Sequence, residues 1–590
     1  MVCYYRKMFA IRTSPNKSVL CKRCIGLRRI SRQQSSPFSP LRPVNPASLP
    51  HVPAKKSKWL RRSVYAVIIG SAGLFLDKQY NASALIRTFR AIYTSALVVV
   101  DYKWNFNAAN ADNINDLHQR VANRLLDMIR KNGGLYIKAG QAIGMQAAVL
   151  PSAYAKAFQT LFDNTPQVGY DEVKSVFQKE FGKSPDEIFK EFNHKASASA
   201  SIAQVHKAVL PTGEVVAVKV QKPEIEKQIF WDLATYRLLM YAYDKIFDIR
   251  LYFTVDYVSK HLLGETDFVQ EAKNAEILAD FVAKEPRLSR TVHIPKVYDD
   301  YCSGRVLTAE WIDGIKITDK KELEKAGFNV SKVMHAFVSL FAAQIFRLGH
   351  VHCDPHPGNV LVRAKNGKRG KAEVVLLDHG LYIHESEEFR ITYCKLWRAL
   401  LTYDYLTVTE IVKSWGVDFP ELFGSMTLMQ PWGNKLKGNK KLADEDKLTP
   451  VKTTFEQQEE MKAQLQQFLQ NTEKIPLEII FLERNMRIVQ LINLTLGSPV
   501  NRPVIMARWA SESLKWQTDL TWKGWMREWL DHAKFSFSMF LLSLGYWYQR
   551  TVQYLTGGRA NGIEDLLQYH VKSIAKENFG IEINDDLFLA

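Results

Sequence analysis

The sequence predicts an α+β fold: a small half of mixed strands and helices, then a larger helical half, with helical extensions on both sides. Three observations predict it. Ser201–Val209 and Glu214–Val220 read as strands joined by the turn signal Pro211-Thr212-Gly213. Val330–Leu348 is a long apolar helical stretch that runs into a polar loop. From 386 to 555 no clear strand pattern occurs.

The elements follow in order. Residues 1–50 carry ten Lys/Arg and no acid, so the formal charge of +18 falls to +8 for the remainder. No Asp or Glu precedes Asp77, while Arg, Ser and Pro are frequent. That composition predicts a mitochondrial targeting leader over 1–50, the alternative being a basic tail. No nucleic-acid motif accompanies the charge, and no nucleic-acid partner is expected. Cys21 and Cys24 have metal-ligand spacing but no second pair, so they predict no zinc site. Val64–Leu76 is uncharged and follows Arg61-Arg62. Its thirteen residues would span ~20 Å of a ~30 Å hydrocarbon core. Extended over 59–77 it reads as a single transmembrane helix, with a buried or interfacial helix as the alternative. Basic flanks stay on the matrix side, which would put the bulk of the chain in the intermembrane space.

Residues 110–192 read as a helical extension broken at Gly133-Gly134, with Asp171–Phe192 as one of its helices. The core, 193–400, holds the two strands, helices over Trp231–Phe247 and Val255–Phe281, and the strand Val306–Ile312. It ends in the hairpin Val360–Arg363 and Glu373–Leu377, whose tip carries Asn366-Gly367. Residues 401–590 are helical, with a polar, lysine-rich insertion over 431–460. Phe535–Tyr548, near four tryptophans, reads as a core helix or as an interfacial aromatic one.

The chemistry concentrates in His352-Cys353-Asp354-Pro355-His356-Pro357-Gly358-Asn359 and in Asp378-His379-Gly380, nineteen residues after Asn359. Phosphoryl transfer needs a carboxylate near the attacking oxygen and hard oxygen ligands for Mg²⁺ on the phosphates. The order and spacing resemble the catalytic loop and metal-binding Asp-x-Gly of protein kinases, and imply a protein-kinase-like bilobal fold. Asp354 is then the base or orienting group, and Asn359 and Asp378 bind Mg²⁺. Lys219, ending Val-Ala-Val-Lys on a strand, contacts the ATP phosphates, with Glu271 as its helix partner. Backbone groups around Glu310–Ile312 receive adenine. His352 braces the loop. His356 and His379 are read as part of this loop chemistry and not as transition-metal ligands.

Three departures bear on the substrate. In place of a Gly-rich phosphate loop stands Ala196-Ser-Ala-Ser-Ala200-Ser201-Ile-Ala203, whose added Cβ atoms change how backbone approaches phosphate. Ala200, Ser201 and Ala203 are still the candidate nucleotide contacts. Cys353 stands where an arginine would read a phosphorylated activation loop. No Ala-Pro-Glu follows Asp378-His-Gly, which argues against a peptide-docking platform.

From about 110 to at least 400 these residues resemble the UbiB family of atypical kinases, also called aarF-domain kinases. The resemblance is carried by Lys138-Ala-Gly-Gln141, the Ala/Ser loop, Glu265-Thr-Asp267, Asp354 to Asn359 and Asp378-His-Gly380. It implies that the Lys-x-Gly-Gln helices cover the active site, so that Lys138 and Gln141 meet Glu265 and Asp267. It also implies an ATP- and Mg²⁺-dependent kinase or ATPase with a lipid or quinone ligand. The leader, single helix and C-terminal extension are similar to the fungal mitochondrial inner-membrane branch linked to coenzyme Q distribution and phospholipid homeostasis. A non-catalytic lipid-binding scaffold and an ordinary protein kinase are the competing readings.

Overall fold

The computed structural model describes residues 58–144, 151–161, 167–247, 252–368, 370–417, 419–429, 432, 476–516 and 521–555. The expected leader and nearly all of 431–460 lie outside these residues. The chain divides into two units, 1–67 and 68–590. The architecture below is that of the second, apart from the start of the first helix.

Helix α1 (Lys58–Asn81) contains the apolar segment expected to span. No single helix among the described residues is long and apolar enough to cross a membrane. Helix α2 (Ala84–Asn105) follows at 102°, and the pair Arg62–Asn81 and Ala84–Asn105 meets the length and composition test only together. Ala82 and Ser83 make the bend with φ of 49° and 62°. Helices α3 (Ile114–Asn132), α4 (Gly134–Gly144) and α5 (Ser152–Gln159) pack on α2 around Leu117, Val121, Ile129 and Phe158. The break at Gly133-Gly134 falls where expected, because both glycines take positive φ that a side chain would strain.

The expected helix Asp171–Phe192 is instead three pieces. Helix α6 (Tyr170–Phe181) stops at Gly182 with φ +69°. A capping box from Ser184 and Glu187 starts the short α7 (Pro185–Ile188). Glu191–Phe192 then joins the sheet as β1. The first sheet has the order β1-β3-β4-β6, with β2 (Ala198–Ser199) also on β3 (Ala203–Val209). Strand β4 (Val215–Gln221) is antiparallel to β3 and to β6 (Val306–Glu310), and Lys219 pairs with Val205 and Leu307.

Helix α8 (Pro223–Phe247) begins eight residues before its expected start at Trp231. The expected helix Val255–Phe281 breaks into α9 (Val255–Gly264) and α10 (Phe268–Lys284). Asp267 causes the break: its side chain accepts from Val269 N at 3.0 Å and caps α10.

In the second half, β5 (Val292–His293), β7 (Ile315–Lys316), β9 (Val360–Ala364) and β10 (Ala372–Leu376) form a sheet in the order β5-β10-β9-β7. After the short α11 (Lys320–Lys325), helix α12 (Val330–Ala343) is buried along almost its whole length. It ends in a π turn over Gln344–Leu348 and Gly349 at φ +70°, which deliver β8 (His350–His352). Strand β8 pairs with β11 (Tyr382–His384), so the loops after β8 and β10 lie side by side. Helices α13 (Glu387–Thr402), α14 (Tyr405–Ser414), α15 (Pro420–Leu428), α16 (Glu478–Thr495), α17 (Arg502–Ser513) and α18 (Trp522–Leu555) complete this half. Trp397, Phe337, Phe341 and Phe346 sit fully buried in its core.

Candidate active site

Strand β4 turns Lys219 toward α10, where its Nζ lies 2.7 and 2.9 Å from the two oxygens of Glu271. Asp378 Oδ1 is 3.5 Å away, and the Phe268 ring lies 5.1 Å from the same Nζ. These carboxylates hold Lys219 above its ordinary pKa although burial pulls it down. Helix α10 also grips the Asp378 loop: Asn274 donates to His379 O at 3.0 Å.

Burial pushes Asp378 up, but Lys219, Lys138 and the Gly380 N–H at 2.9 Å hold it well below the usual carboxylate range. A Cβ on Gly380 would meet Asp378 Oδ1 at 3.2 Å and Glu271 Oε2 at 3.7 Å, so the absent side chain leaves room for this turn. Asn359 reaches the same carboxylate, Nδ2 to Asp378 Oδ2 at 3.5 Å, while its carbonyl accepts from Leu377 N at 2.9 Å.

The loop bearing Asp354 is held from several sides. Gln344 Oε1 accepts from His352 N at 2.9 Å, Asn485 Nδ2 donates to His352 O at 2.5 Å, and His352 Nδ1 accepts from Asp354 N at 3.3 Å. Burial keeps His352 below its ordinary pKa, so the neutral ring serves as that acceptor. Asp354 Oδ2 lies 3.0 Å from Arg484 Nη2 and 3.7 Å from Lys138 Nζ. Burial raises its carboxyl, and these two cations more than reverse the effect. Its Oδ1 is buried and accepts no hydrogen bond from the described residues. Lys138, on α4, is paired with Glu265 Oε2 at 3.0 Å.

One cluster therefore contains Lys138, Glu265, Lys219, Glu271, Asp354, Asn359, Asp378 and Arg484. Gln141 and Asp267 are not in it. Gln141 donates to Leu161 O at 3.0 Å and so ties α4 to the residue that follows α5, while Asp267 is spent on capping α10. The expected meeting of Lys138 with Glu265 is present; that of Gln141 with either acid is not.

The nucleotide contacts expected on the first sheet are placed differently from one another. Ala200 is exposed, and its carbonyl accepts from Lys222 Nζ at 2.6 Å. Ser201 is buried, and its Oγ has no hydrogen-bond partner among the described residues. The Ala203 side chain is in an apolar cluster with Ile202, Ile225 and Phe268, and its carbonyl accepts from Ala200 N at 2.8 Å. The Glu310 carboxylate bonds His293 at 2.6 Å and Arg363 at 2.9 Å, a tie between sheets. Burial would raise this carboxyl, but the hydrogen bonds to His293 and Arg363 bring it down to about 2. Ile312 is buried just after β6.

Among the described residues, no group of three His, Cys, Asp or Glu side chains could hold a metal ion by itself. The Asp378 carboxylate is a hard donor that fits Mg²⁺, and the Asn359 amide, whose Nδ2 faces it at 3.5 Å, would add its oxygen on turning over, with phosphate oxygens and water as the remaining ligands. The buried, unpartnered Asp354 Oδ1 leaves an acceptor available beside them.

The sequence profile of the ABC1 atypical kinase-like domain matches residues 160–412. An ABC1 family protein of Schizosaccharomyces pombe is 43% identical over 475 residues, covering 80% of this chain and 87% of its own. The chain belongs to the ABC1 family. A second ABC1 family protein, lscO of Purpureocillium lilacinum, is 34% identical over 572 residues, 90% of this chain and 95% of its own. AarF domain-containing protein kinase 1 of Gallus gallus is 35% identical over 372 residues, 62% of this chain and 70% of its own. The UbiB resemblance and the kinase-like α+β class therefore hold. Lys138 and Arg484 both lie outside the matched ABC1 domain, so the two cations facing Asp354 come from the flanking extensions.

Arg484 and Asn485 escaped the sequence analysis. The one signal that points to them is the polar block Glu483-Arg484-Asn485 inside the apolar run Ile479–Val489. A charge on a buried helix face needs a partner.

Proposed function

We propose that this ABC1 protein is a Mg-ATP-dependent atypical kinase or ATPase of the mitochondrial inner membrane that serves coenzyme Q distribution and phospholipid homeostasis. The observation that carries the catalytic part is the convergence of Lys219, Asp378, Asn359 and Asp354 in one half-buried cluster. Bound Mg-ATP would supply an activated phosphoryl group there. Lys219, steadied by Glu271, is positioned to neutralise phosphate charge. Asp378 would present its carboxylate to the metal, and Asn359 its amide oxygen once the amide turns from Asp378. Asp354, kept ionised by Arg484 and Lys138, can orient an acceptor hydroxyl or water and take its proton.

The membrane and lipid parts rest on the acid-free leader, the apolar α1 and the UbiB resemblance. Lys138 beside Asp354 stands where a peptide hydroxyl would have to approach, which favours a small or lipid acceptor over a protein. Purified protein is expected to bind nucleotide in a Mg²⁺-dependent way that Asp378→Asn and Lys219→Ala weaken at least about tenfold; unchanged binding in both variants would sink the enzymatic reading. The two cations on Asp354 favour one second reading, a lipid-binding scaffold in which the base is masked. Rescue of a deletion strain by Asp354→Asn would support the scaffold instead.

A further inference from the structure

Helix α2 has two opposite faces. The inner face is built for protein: Arg87 pairs with Asp232 of α8, and Thr88 Oγ1 lies 3.0 Å from Thr235 Oγ1. The outer face has no protein partner among the described residues, although every exposed position from Leu85 to Val100 is apolar. Phe89 is 71% exposed, and Leu85, Ile92, Tyr93, Leu97 and Val100 share the stripe. Sixteen helical residues make this stripe roughly 24 Å long. An apolar patch of that extent marks an interaction surface.

Its surroundings say which kind. The two acids of the helix pair, Asp77 and Asp101, are both buried. The exposed charges that remain, Arg62, Lys78 and Lys103, are all basic. The stripe ends at Trp104, 76% exposed, beside Lys103. Apolar stripe, terminal tryptophan and basic fringe together suit an interface with anionic headgroups.

The bend is also a built feature. Asp77 Oδ2 accepts from Leu85 N at 3.0 Å, and Lys227 Nζ on α8 donates to Gln79 O at 2.9 Å. With α1 running along a membrane normal, the 102° angle leaves α2 within roughly a dozen degrees of the membrane plane. Trp231 of α8 shares a crease with Leu76, Tyr80 and Leu85, so α8 adds an aromatic to the same side.

We propose that the Leu85–Val100 face of α2 lies flat in the interface of a bilayer containing anionic lipid, while α1 enters the hydrocarbon. This rests on the membrane location proposed above. It adds that the protein docks through a second helix, which fixes the orientation of the bundle carrying Lys138.

The test uses the full chain in vesicles of phosphatidylcholine and phosphatidylglycerol, with accessible native cysteines replaced by serine. Single fluorescent labels go on Phe89→Cys, Tyr93→Cys, Leu97→Cys and Val100→Cys, on Ile69→Cys and Phe75→Cys in α1, and on Gln119→Cys of α3. Quenching by brominated lipids reads depth. The four α2 labels are expected at one shallow depth, the two α1 labels at unequal depths, and Gln119→Cys unquenched. Graded depths along α2 would make it a continuing span and overturn the proposal. So would α2 labels left unquenched on vesicle-bound protein, or crosslinked between two copies. Failure of the protein to float with vesicles would overturn the membrane reading as well. Phe89→Glu with Leu97→Glu should lower the vesicle-bound partition at least about tenfold, with Mg-nucleotide affinity retained. An unchanged partition also overturns the proposal.

Discussion

Arg484 Nη2 lies 3.0 Å from Asp354 Oδ2, so a helix of the C-terminal extension neutralises the candidate base of the ABC1 domain. Arg484→Ala removes the nearer of two cations. Asp354 is held below its ordinary pKa, so its ionisation stabilises the fold above about pH 4 and that contribution is lost as pH falls further. The variant should lose about 2 kcal/mol of stability at neutral pH. The acid limb of its pH–hydrolysis profile should move to higher pH, with the alkaline side unchanged. An unmoved acid limb would remove Asp354 from the titrating step.

Lys219→Ala should weaken Mg-nucleotide binding by about 10- to 150-fold, the worth of one hydrogen bond to a charged group. Glu271→Gln should weaken it less, because Lys219 keeps Asp378 as a neighbour. Titration calorimetry with and without Mg²⁺ checks both.

Gly380→Ala tests the crowding around the Asp378 turn. Its Cβ would stand 3.2 Å from Asp378 Oδ1, so the carboxylate must move by a few tenths of an ångström. Weaker Mg²⁺-dependent binding is expected with little change in thermal midpoint. Equal losses in both would mean that the turn, and not the metal ligand, is what the substitution disturbs.

Gln141→Ala separates the two halves of Lys-x-Gly-Gln. It removes a bond to Leu161 O and should cost about 1 kcal/mol without altering the pH profile. Lys138→Ala should shift the profile in the same direction as Arg484→Ala.

Burial lowers His379 to about 3, and the neutral ring bonds Leu376 O and the Tyr382 hydroxyl. The unfolded chain takes up this proton near pH 6.5 and the folded chain does not. Stability should therefore fall below that pH by up to about 1.4 kcal/mol per unit, continuing towards pH 3. His379→Gln should flatten that part of a thermal-shift series; an unchanged slope would assign it to other groups.

Much of the site was legible in local residue patterns. Lys219 at a strand end, Asp354 and Asn359 in one loop and Asp378 in another carry their geometry in short spacings. The break after Gly264 was not, because capping by Asp267 outweighed helical periodicity. Gln141 misled for a related reason. It shares a motif with Lys138, yet its bond goes to the nearby Leu161 carbonyl.

By itself the sequence determined the order of the two halves, the candidate residues Lys219, Asp354, Asn359 and Asp378, and the family, since each depends on residues close together in the chain. Only the tertiary structure decided what surrounds Asp354 and what α2 leaves uncovered. Lys138 and Arg484 come from the extensions on opposite sides of the ABC1 domain, and their charges matter only because packing brings them into one poorly solvated site. The α2 stripe is apolar in sequence like any core helix. Its exposure follows from where α3 and α8 pack, which no pattern within the helix records.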